Sequence, residues 1–160
     1  MHAILSHALG DGVNESTLQR LGQGLVASHH RANEVIYRQG SSPDGIYFIG
    51  HGCVLLEWTA PNGFVAAFRL ASTGEGFGYR SFCGEEPRST VARSVTSSLT
   101  LHVPARALES AMTEDPGLIR ALARLLARDV GPKISKIARN GRTPVRTRLA
   151  YVLTDLVQRL

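Results

Sequence analysis

The hydrophobic positions change period twice along the chain. Residues 1–13 are small and weakly patterned, and they read as a loose tail. Asn14 is placed to cap a helix from Glu15 to about Ala27, with Leu18, Leu21 and Leu25 on one face. Gly22 and Gly24 weaken that helix. From Glu34 the period becomes strand-like. Val35-Ile36-Tyr37 reads as a short strand, and Ser42-Pro43-Asp44-Gly45 as a turn. Ile46 to Ile49 is apolar throughout, the signature of a strand buried on both faces. Gly50 and Gly52 bracket His51 in a tight reversal. Val54, Leu56 and Trp58 then alternate with Cys53, Leu55 and Glu57. Pro61-Asn62-Gly63 is a hairpin turn leading into Val65 to Leu70. Val91 to Thr96 follows, and Leu99, Leu101 and Val103 alternate with Thr100 and His102. Many short strands at this spacing predict an antiparallel sandwich or barrel.

After Pro104 the period becomes helical again. Ala105 to Met112 predicts a short helix, and Asp115-Pro116 starts a longer one by a capping residue followed by proline. Leu118, Leu122, Leu125, Leu126, Val130, Ile134 and Ile137 form its apolar stripe, opposite Arg120, Arg124 and Arg128. The stripe needs a partner: a second copy of itself, or the chain's own sandwich. Gly131-Pro132 interrupts the pattern and predicts a bend. Asn140-Gly141 closes the helix, and Thr143-Pro144 opens another with Leu149, Val152, Leu153, Leu156 and Leu160 on its apolar face.

One stretch interrupts the strands: Gly74 to Val95, with glycines at 74, 76 and 78, acidic Glu85-Glu86, and Arg88-Ser89-Thr90. Glycines let a ligand approach the main chain, and arginine offers a planar fork suited to phosphate or carboxylate. The stretch therefore reads either as an anion cradle between strands or as a surface loop with a solvated arginine.

Composition narrows the setting. The chain has 160 residues, 43% hydrophobic and 19% charged, and a formal net charge of +5. That suits one cored domain with an appendage. There is no membrane-length apolar run and no basic start followed by an apolar stretch, which predicts a cytoplasmic protein. Cys53 and Cys83 form neither a metal-ligand spacing nor a disulfide framework. Basic residues crowd the C-terminal part: Lys133, Lys136, Arg139, Arg142, Arg146, Arg148 and Arg159 follow the arginine stripe, suggesting a polyanionic partner or a solvated helix face.

Catalysis finds no foothold. There is no His-x-His pair, and no Ser/His/Asp set or carboxylate pair falls at a useful spacing, so the chain reads as not an enzyme. Two cysteines cannot hold an iron–sulfur cluster. His7, His29, His30, His51 and His102 are available as axial ligands for a haem, although none sits in a haem motif. Adjacent His29 and His30 point to different sides and make a poor metal pair.

Taken in order, Pro43-Asp44-Gly45-Ile46-Tyr47-Phe48-Ile49, Gly52 with Val54 and Leu56, Gly74-Glu75, Phe77-Gly78 and Glu86-Pro87-Arg88-Ser89 resemble the Crp/Fnr family of bacterial transcription regulators. Val145-Arg146-Thr147-Arg148-Leu149-Ala150, before Leu153 and Asp155-Leu156, resembles the first helix of that family's DNA-binding domain. The resemblance covers about residues 15–160. It implies a mainly β fold with flanking helices: an antiparallel double-stranded β-helix, or jelly roll, followed by a long dimerisation helix. The implied organisation is a cyclic-nucleotide-binding-like sensor over 1–113, a dimerisation helix over 114–141 (pairing through 115–139), and over 142–160 the first helix of a winged helix-turn-helix that the sequence does not complete.

The resemblance also implies a site. Arg88 and Ser89 fall where the family's phosphate-binding arginine and serine sit, and Gly78 matches the glycine before its ribose-binding glutamate. That glutamate position holds Tyr79, and the base-contacting positions of the pairing helix hold Lys133 and Ile134. Gly78, Tyr79, Arg80, Arg88, Ser89, Thr90, Lys133 and Ile134 are the candidate effector-binding residues, and Arg146 and Arg148 the candidates for nucleic acid. Phosphate capture is expected. A ribose hydroxyl, lacking its charged acceptor, loses on the order of 1.5–3 kcal/mol. The effector is open between a cyclic nucleotide, another small anion and a haem-bound gas. The partners expected are a small-molecule effector, a second copy of the chain and, if the native protein carries a recognition helix, DNA. A stand-alone module regulating a protein partner is the alternative.

Overall fold

The computed structural model describes residues 2–140, with side chains described through residue 129. It opens with two helices, α1 (His2–Leu9) and α2 (Glu15–Gln23). The expectation of a loose tail over 1–13 is therefore corrected. Leu5, Ala8 and Leu9 recur at helical spacing and are all buried, and α1 packs on α2 and on β3 (Gly45–His51). A face so short, with alanine as one of its three anchors, gives little periodic signal. The second helix stops at Gly24, short of Ala27, where the Gly24 N–H closes on the Arg20 carbonyl at 3.2 Å. The Asn14 side chain makes no capping hydrogen bond.

Two four-stranded antiparallel sheets follow. The first has the order β1-β8-β3-β6, the second β2-β7-β4-β5, where β1 is Val26–His30, β2 Val35–Tyr37, β4 Cys53–Thr59, β5 Val65–Ser72, β6 Gly76–Phe77, β7 Val91–Ser94 and β8 Ser98–Pro104. This is the jelly roll with flanking helices that the strand spacing and the family resemblance predict. The first strand was missed by the periodicity. It is an edge strand, largely exposed, and its Val-Ala-Ser-His-His sequence carries no apolar alternation.

β3 holds the middle of the fold. Residues Gly45 to Ile49 are buried because α1, α3 (Tyr79–Cys83) and α4 (Ala105–Glu114) all pack against the strand, while Tyr47 and Ile49 join a core cluster with Tyr37, Val54, Leu56, Phe77 and Ala92. Each of the Ile, Val, Leu and Phe side chains among them, fully removed from water, stabilises by about 1.5–3 kcal/mol. In β4 the alternation holds for Val54 and Leu56, but a register shift between Leu56 and Glu57 leaves Trp58 exposed. The Pro61-Asn62-Gly63 turn joins β4 to β5 as expected, with the Ala60 N–H donating to the Phe64 carbonyl at 2.8 Å.

The stretch from Gly74 to Val95 is more structured than a loop. It contains β6, α3 and all of β7. Beyond α4, α5 runs from Pro116 to Asn140, and its helical backbone continues through Gly131-Pro132. Its first turn is fastened by Asp115. That carboxylate accepts the Gly117 N–H and the Asn14 N–H, both at 2.8 Å. The chain divides into a compact unit of Met1–Leu125 and a second unit beginning at Leu126. In the first unit Leu118, Ala121 and Leu122 are buried, while Ile119, Arg120 and Arg124 are exposed.

Candidate functional site

Arg88 is the largest fully buried side chain among the described residues, 1% exposed. Its backbone is clamped to a turn: the Arg88 N–H donates to the Ser41 carbonyl at 2.8 Å, and the Gly40 N–H donates to the Arg88 carbonyl at 2.7 Å. From there the guanidinium reaches three acceptors. Nη1 donates to the Gly78 carbonyl at 2.7 Å, and Nη2 donates to the Gly45 carbonyl at 2.7 Å and to Asp44 Oδ1 at 2.6 Å. Nε has no hydrogen-bond partner. Arginine is always charged, so this is a permanent cation at the edge of the core with its Nε–H unspent.

Two glycines make the approach possible. Gly45 has φ +145°, and a Cβ there would lie 2.1 Å from the Val103 carbonyl oxygen. Gly78 has φ +83°, and a Cβ there would lie 2.6 Å from Arg88 Nη1. Both carbonyls are thus presented to the guanidinium by residues without side chains.

Aromatic rings close the inner side. Register places Tyr47 of β3 opposite His102 of β8 and opposite Phe77 of β6. The three rings stack in a row, 4.4 Å from His102 to Tyr47 and 5.2 Å from Tyr47 to Phe77. Tyr37 of β2 reaches across from the other sheet, its ring centroid 5.7 Å from that of Tyr47. The Arg88 guanidinium lies 4.6 Å from the Tyr37 centroid and 5.6 Å from the Tyr47 centroid, within cation–π range. The core side is therefore filled, and the site opens toward Asp44, whose side chain is 54% exposed.

The electrostatics follow from that geometry. Burial, then the charge of Asp44, pushes the Tyr47 phenol far above its ordinary range, so its hydroxyl stays protonated and donates to Asp44 Oδ2 at 3.1 Å. Burial likewise raises Tyr37, against the Thr90 hydroxyl and Arg88, which lower it. Burial pushes His102 below the usual imidazole value, partly offset by the Asp44 carboxylate nearby.

Among the candidate effector residues, Gly78 and Arg88 are brought into contact, and Thr90 lies beside Tyr37. Ser89 is half-buried and Arg80 is exposed. Tyr79 is buried, and its hydroxyl accepts from Arg69 Nη1 of β5 at 2.8 Å. Lys133 and Ile134 fall in α5 beyond the described side chains, and Arg146 and Arg148 lie outside the described residues. The alternative of a surface loop with a solvated arginine is corrected: Arg88 is interior, drawn in by three acceptors. Sequence reading missed Asp44 as a site residue, taking it as turn chemistry and as part of the family pattern, and His102, which it took as a strand spacer or an axial ligand. Strand register brings them together, and register has no local signature.

The other histidines do not converge. His7, His29 and His51 are exposed, and His30 Nε2 lies 2.9 Å from the Thr100 hydroxyl. Among the described residues no group of three or more His, Cys, Asp or Glu side chains is placed to hold a metal ion. Among them, too, no helix is long and apolar enough to cross a membrane.

Known proteins align with this architecture. The model of the cyclic nucleotide-binding domain matches residues 27–115. A curated relative, the CRP-like cAMP-activated global transcriptional regulator of Mycobacterium tuberculosis, is 27% identical over 99% of this chain and 71% of its own length. Among solved structures, the catabolite activator protein of Thermus thermophilus superposes with a TM-score of 0.72 at 24% identity, covering 94% of this chain and 70% of that one. The c-di-GMP responsive global regulator CLP of Xanthomonas campestris superposes with a TM-score of 0.76 at 17% identity, covering 89% and 72%. The matched span runs from β1 to Asp115 and contains Arg88 with all of its partners. On that match, the chain belongs to the cyclic nucleotide-binding domain family.

Proposed function

We propose that the chain is the effector-sensing and dimerising portion of a Crp/Fnr-type bacterial transcription regulator, and that its effector is a small anion held by Arg88. The observation that carries this reading is the buried guanidinium with an unpartnered Nε, set beside a half-exposed carboxylate. A buried cation must be paired, and Asp44 supplies its only anionic partner among the described residues. A phosphate or carboxylate entering from the Asp44 side takes over that pairing. Gly78, Ser89 and Thr90 frame the same corner.

The residues fit the phosphate end of a cyclic nucleotide and not the ribose end. Tyr79, at the position of the family's ribose-binding glutamate, already accepts from Arg69 and offers a ribose hydroxyl no carboxylate. The effector is therefore a phosphate-bearing or similar anion recognised without that contact. Both regulators named above for an effector name a phosphate-bearing one, which supports the class.

In this reading residues 1–113 form the sensor, the helix over 114–141 pairs two subunits, and Arg146 and Arg148 approach DNA phosphates from the segment over 142–160. Anion binding shifts the populations of two arrangements of the paired arms. Exposed Trp58, Phe64, Val65 and Phe68 on the β4–β5 hairpin and exposed Ile119 on α5 are surfaces a partner can cover.

Calorimetric titration with cyclic AMP, cyclic GMP and c-di-GMP tests the anion role, with Arg88→Gln as the control. At least one ligand should bind the natural chain and lose about tenfold or more in the variant. Equal binding to both proteins overturns the assignment. Native mass spectrometry of protein taken from cells reports copy number and any retained ligand together.

A further inference from the structure

We propose that His102 is a second ligand of the anion that Arg88 takes, with the Asp44 carboxylate holding the anion's place in the unliganded protein. The proposal rests on the reading of Arg88 given above. Two polar side-chain atoms are buried without a hydrogen-bond partner among the described residues, Arg88 Nε and His102 Nε2. They belong to one cluster. Asp44 Oδ1 lies 2.6 Å from Arg88 Nη2 and 3.8 Å from His102 Nε2, too long for a hydrogen bond in the second case. Buried polar atoms are nearly always paired in folded proteins, so two orphans on the two side chains that flank Asp44 mark a place for a ligand.

The imidazole is held for the task. It stacks on Tyr47 at 4.4 Å, is 18% exposed, and its Nε2 fills the space left by the missing side chain of Gly45, where a Cβ would lie 2.8 Å away. Asp44 differs: more than half of its side chain is in water, so its carboxylate can swing out. An anion replacing it meets Arg88 Nη2, His102 Nε2 and the Tyr47 hydroxyl that now donates to Asp44 Oδ2.

The titratable groups around His102 set the sign. Asp44 faces it from the turn before β3, Tyr47 from β3 and Arg88 from the loop before β7. Its register partner on β1 is Val26, which carries no charge. In the unliganded protein, burial first and then the Arg88 charge disfavour the imidazolium, against Asp44, whose carboxylate favours it from 3.8 Å. An anion in hydrogen-bond contact with Nε2 favours it more than the carboxylate it displaces. Binding therefore takes up a proton near neutral pH, and affinity rises as pH falls.

Calorimetry with cyclic AMP, cyclic GMP and sulfate between about pH 5.5 and 8.5, in buffers of different ionisation enthalpy, reads this directly. Each probe keeps a constant charge over that range, so any pH dependence belongs to the protein. The affinity of the natural chain should fall about tenfold as pH rises across the window, with proton uptake on binding. His102→Gln should flatten the profile and abolish the uptake, while retaining binding at the alkaline end. An unchanged profile in His102→Gln overturns the proposal and leaves Arg88 standing. If no probe binds the natural chain at any pH, the anion reading falls along with it. The imidazole resonance of His102 in the natural chain gives a readout free of any variant. Its titration should move to higher pH on adding the anion that binds, and no movement overturns the proposal.

Discussion

Arg88 and Asp44 meet at 2.6 Å across a gradient of exposure, the arginine 1% exposed and the aspartate side chain 54%. The cation is fixed by two backbone carbonyls as well, whereas the anion is tied to the site by the arginine and by the Tyr47 hydroxyl. The pair is thus unequal. One partner belongs to the architecture, and on the proposed reading the other is the group an incoming anion displaces.

Removing that competitor should help an incoming anion. Asp44→Asn keeps the shape and deletes the charge, so anion affinity is expected to rise by roughly fivefold or more, at a stability cost of about 1 kcal/mol for a charge-assisted bond made neutral. Titration calorimetry and urea unfolding measure the two effects separately. Weaker anion binding in Asp44→Asn would show that the carboxylate assists the ligand instead of competing with it.

Arg88→Ala leaves the Gly45 and Gly78 carbonyls without the donors they have now. The expected loss is about 3 kcal/mol in urea unfolding. Arg88→Lys should recover less than half of it, because a single ammonium cannot serve both carbonyls and Asp44 with the planar fork of arginine. Full recovery by lysine would mean that charge alone matters at this position.

Gly45→Ala and Gly63→Ala make a paired test. Both glycines have positive φ, but a Cβ at Gly45 would strike the Val103 carbonyl, whereas at Gly63 it would meet open space. The first substitution should cost roughly 3 kcal/mol or more and disturb the β3–β8 register, and the second about 1 kcal/mol from backbone strain alone. Equal thermal shifts would contradict the close approach at Gly45.

The Asp115 carboxyl is held below the usual carboxylate range, first by the Asn14 N–H, then by the Thr17 hydroxyl and the Gly117 N–H. A depressed folded value means stability that is present above the unfolded value, near pH 4, and lost as pH falls through the folded one. His102 adds to acid sensitivity from the other side. Its lowered folded value means that stability is complete above the unfolded value, about pH 6.5, and declines as pH drops below it. Thermal melts from neutral pH to strong acid should show Asp115→Ala less stable than the natural chain at neutrality, with the gap closing only in strong acid. His102→Gln should remove the earlier decline near pH 6.

Much of the fold was legible from local chemistry. The apolar run Ile46 to Ile49, the Pro61-Asn62-Gly63 turn, Pro104 before α4 and the capped Pro116 of α5 each announce their element by residue type alone. What stayed hidden depends on partners distant in the chain. The first helix shows three buried residues only once α2 and β3 are there to cover them. β1 is a strand because β8 pairs with it, not because its own sequence prefers one. The site divides the same way. Arg88 and Gly78 stand out as types suited to an anion, but Asp44 and His102 join them only through the β3–β8 register, which no short window of sequence encodes.

The stitch that Asp115 makes between Asn14 and Gly117 alters what the N-terminus is for. Arg124 adds a second thread, donating to the Asp11 carbonyl at 2.7 Å, and the Gly12 carbonyl sits so close to Gly117 that any larger residue there would collide with it. Removing the residues through Asn14 would therefore unmoor the opening turns of α5, and a protease cutting between α1 and α2 would do so too, making the segment around α1 a remote handle on α5.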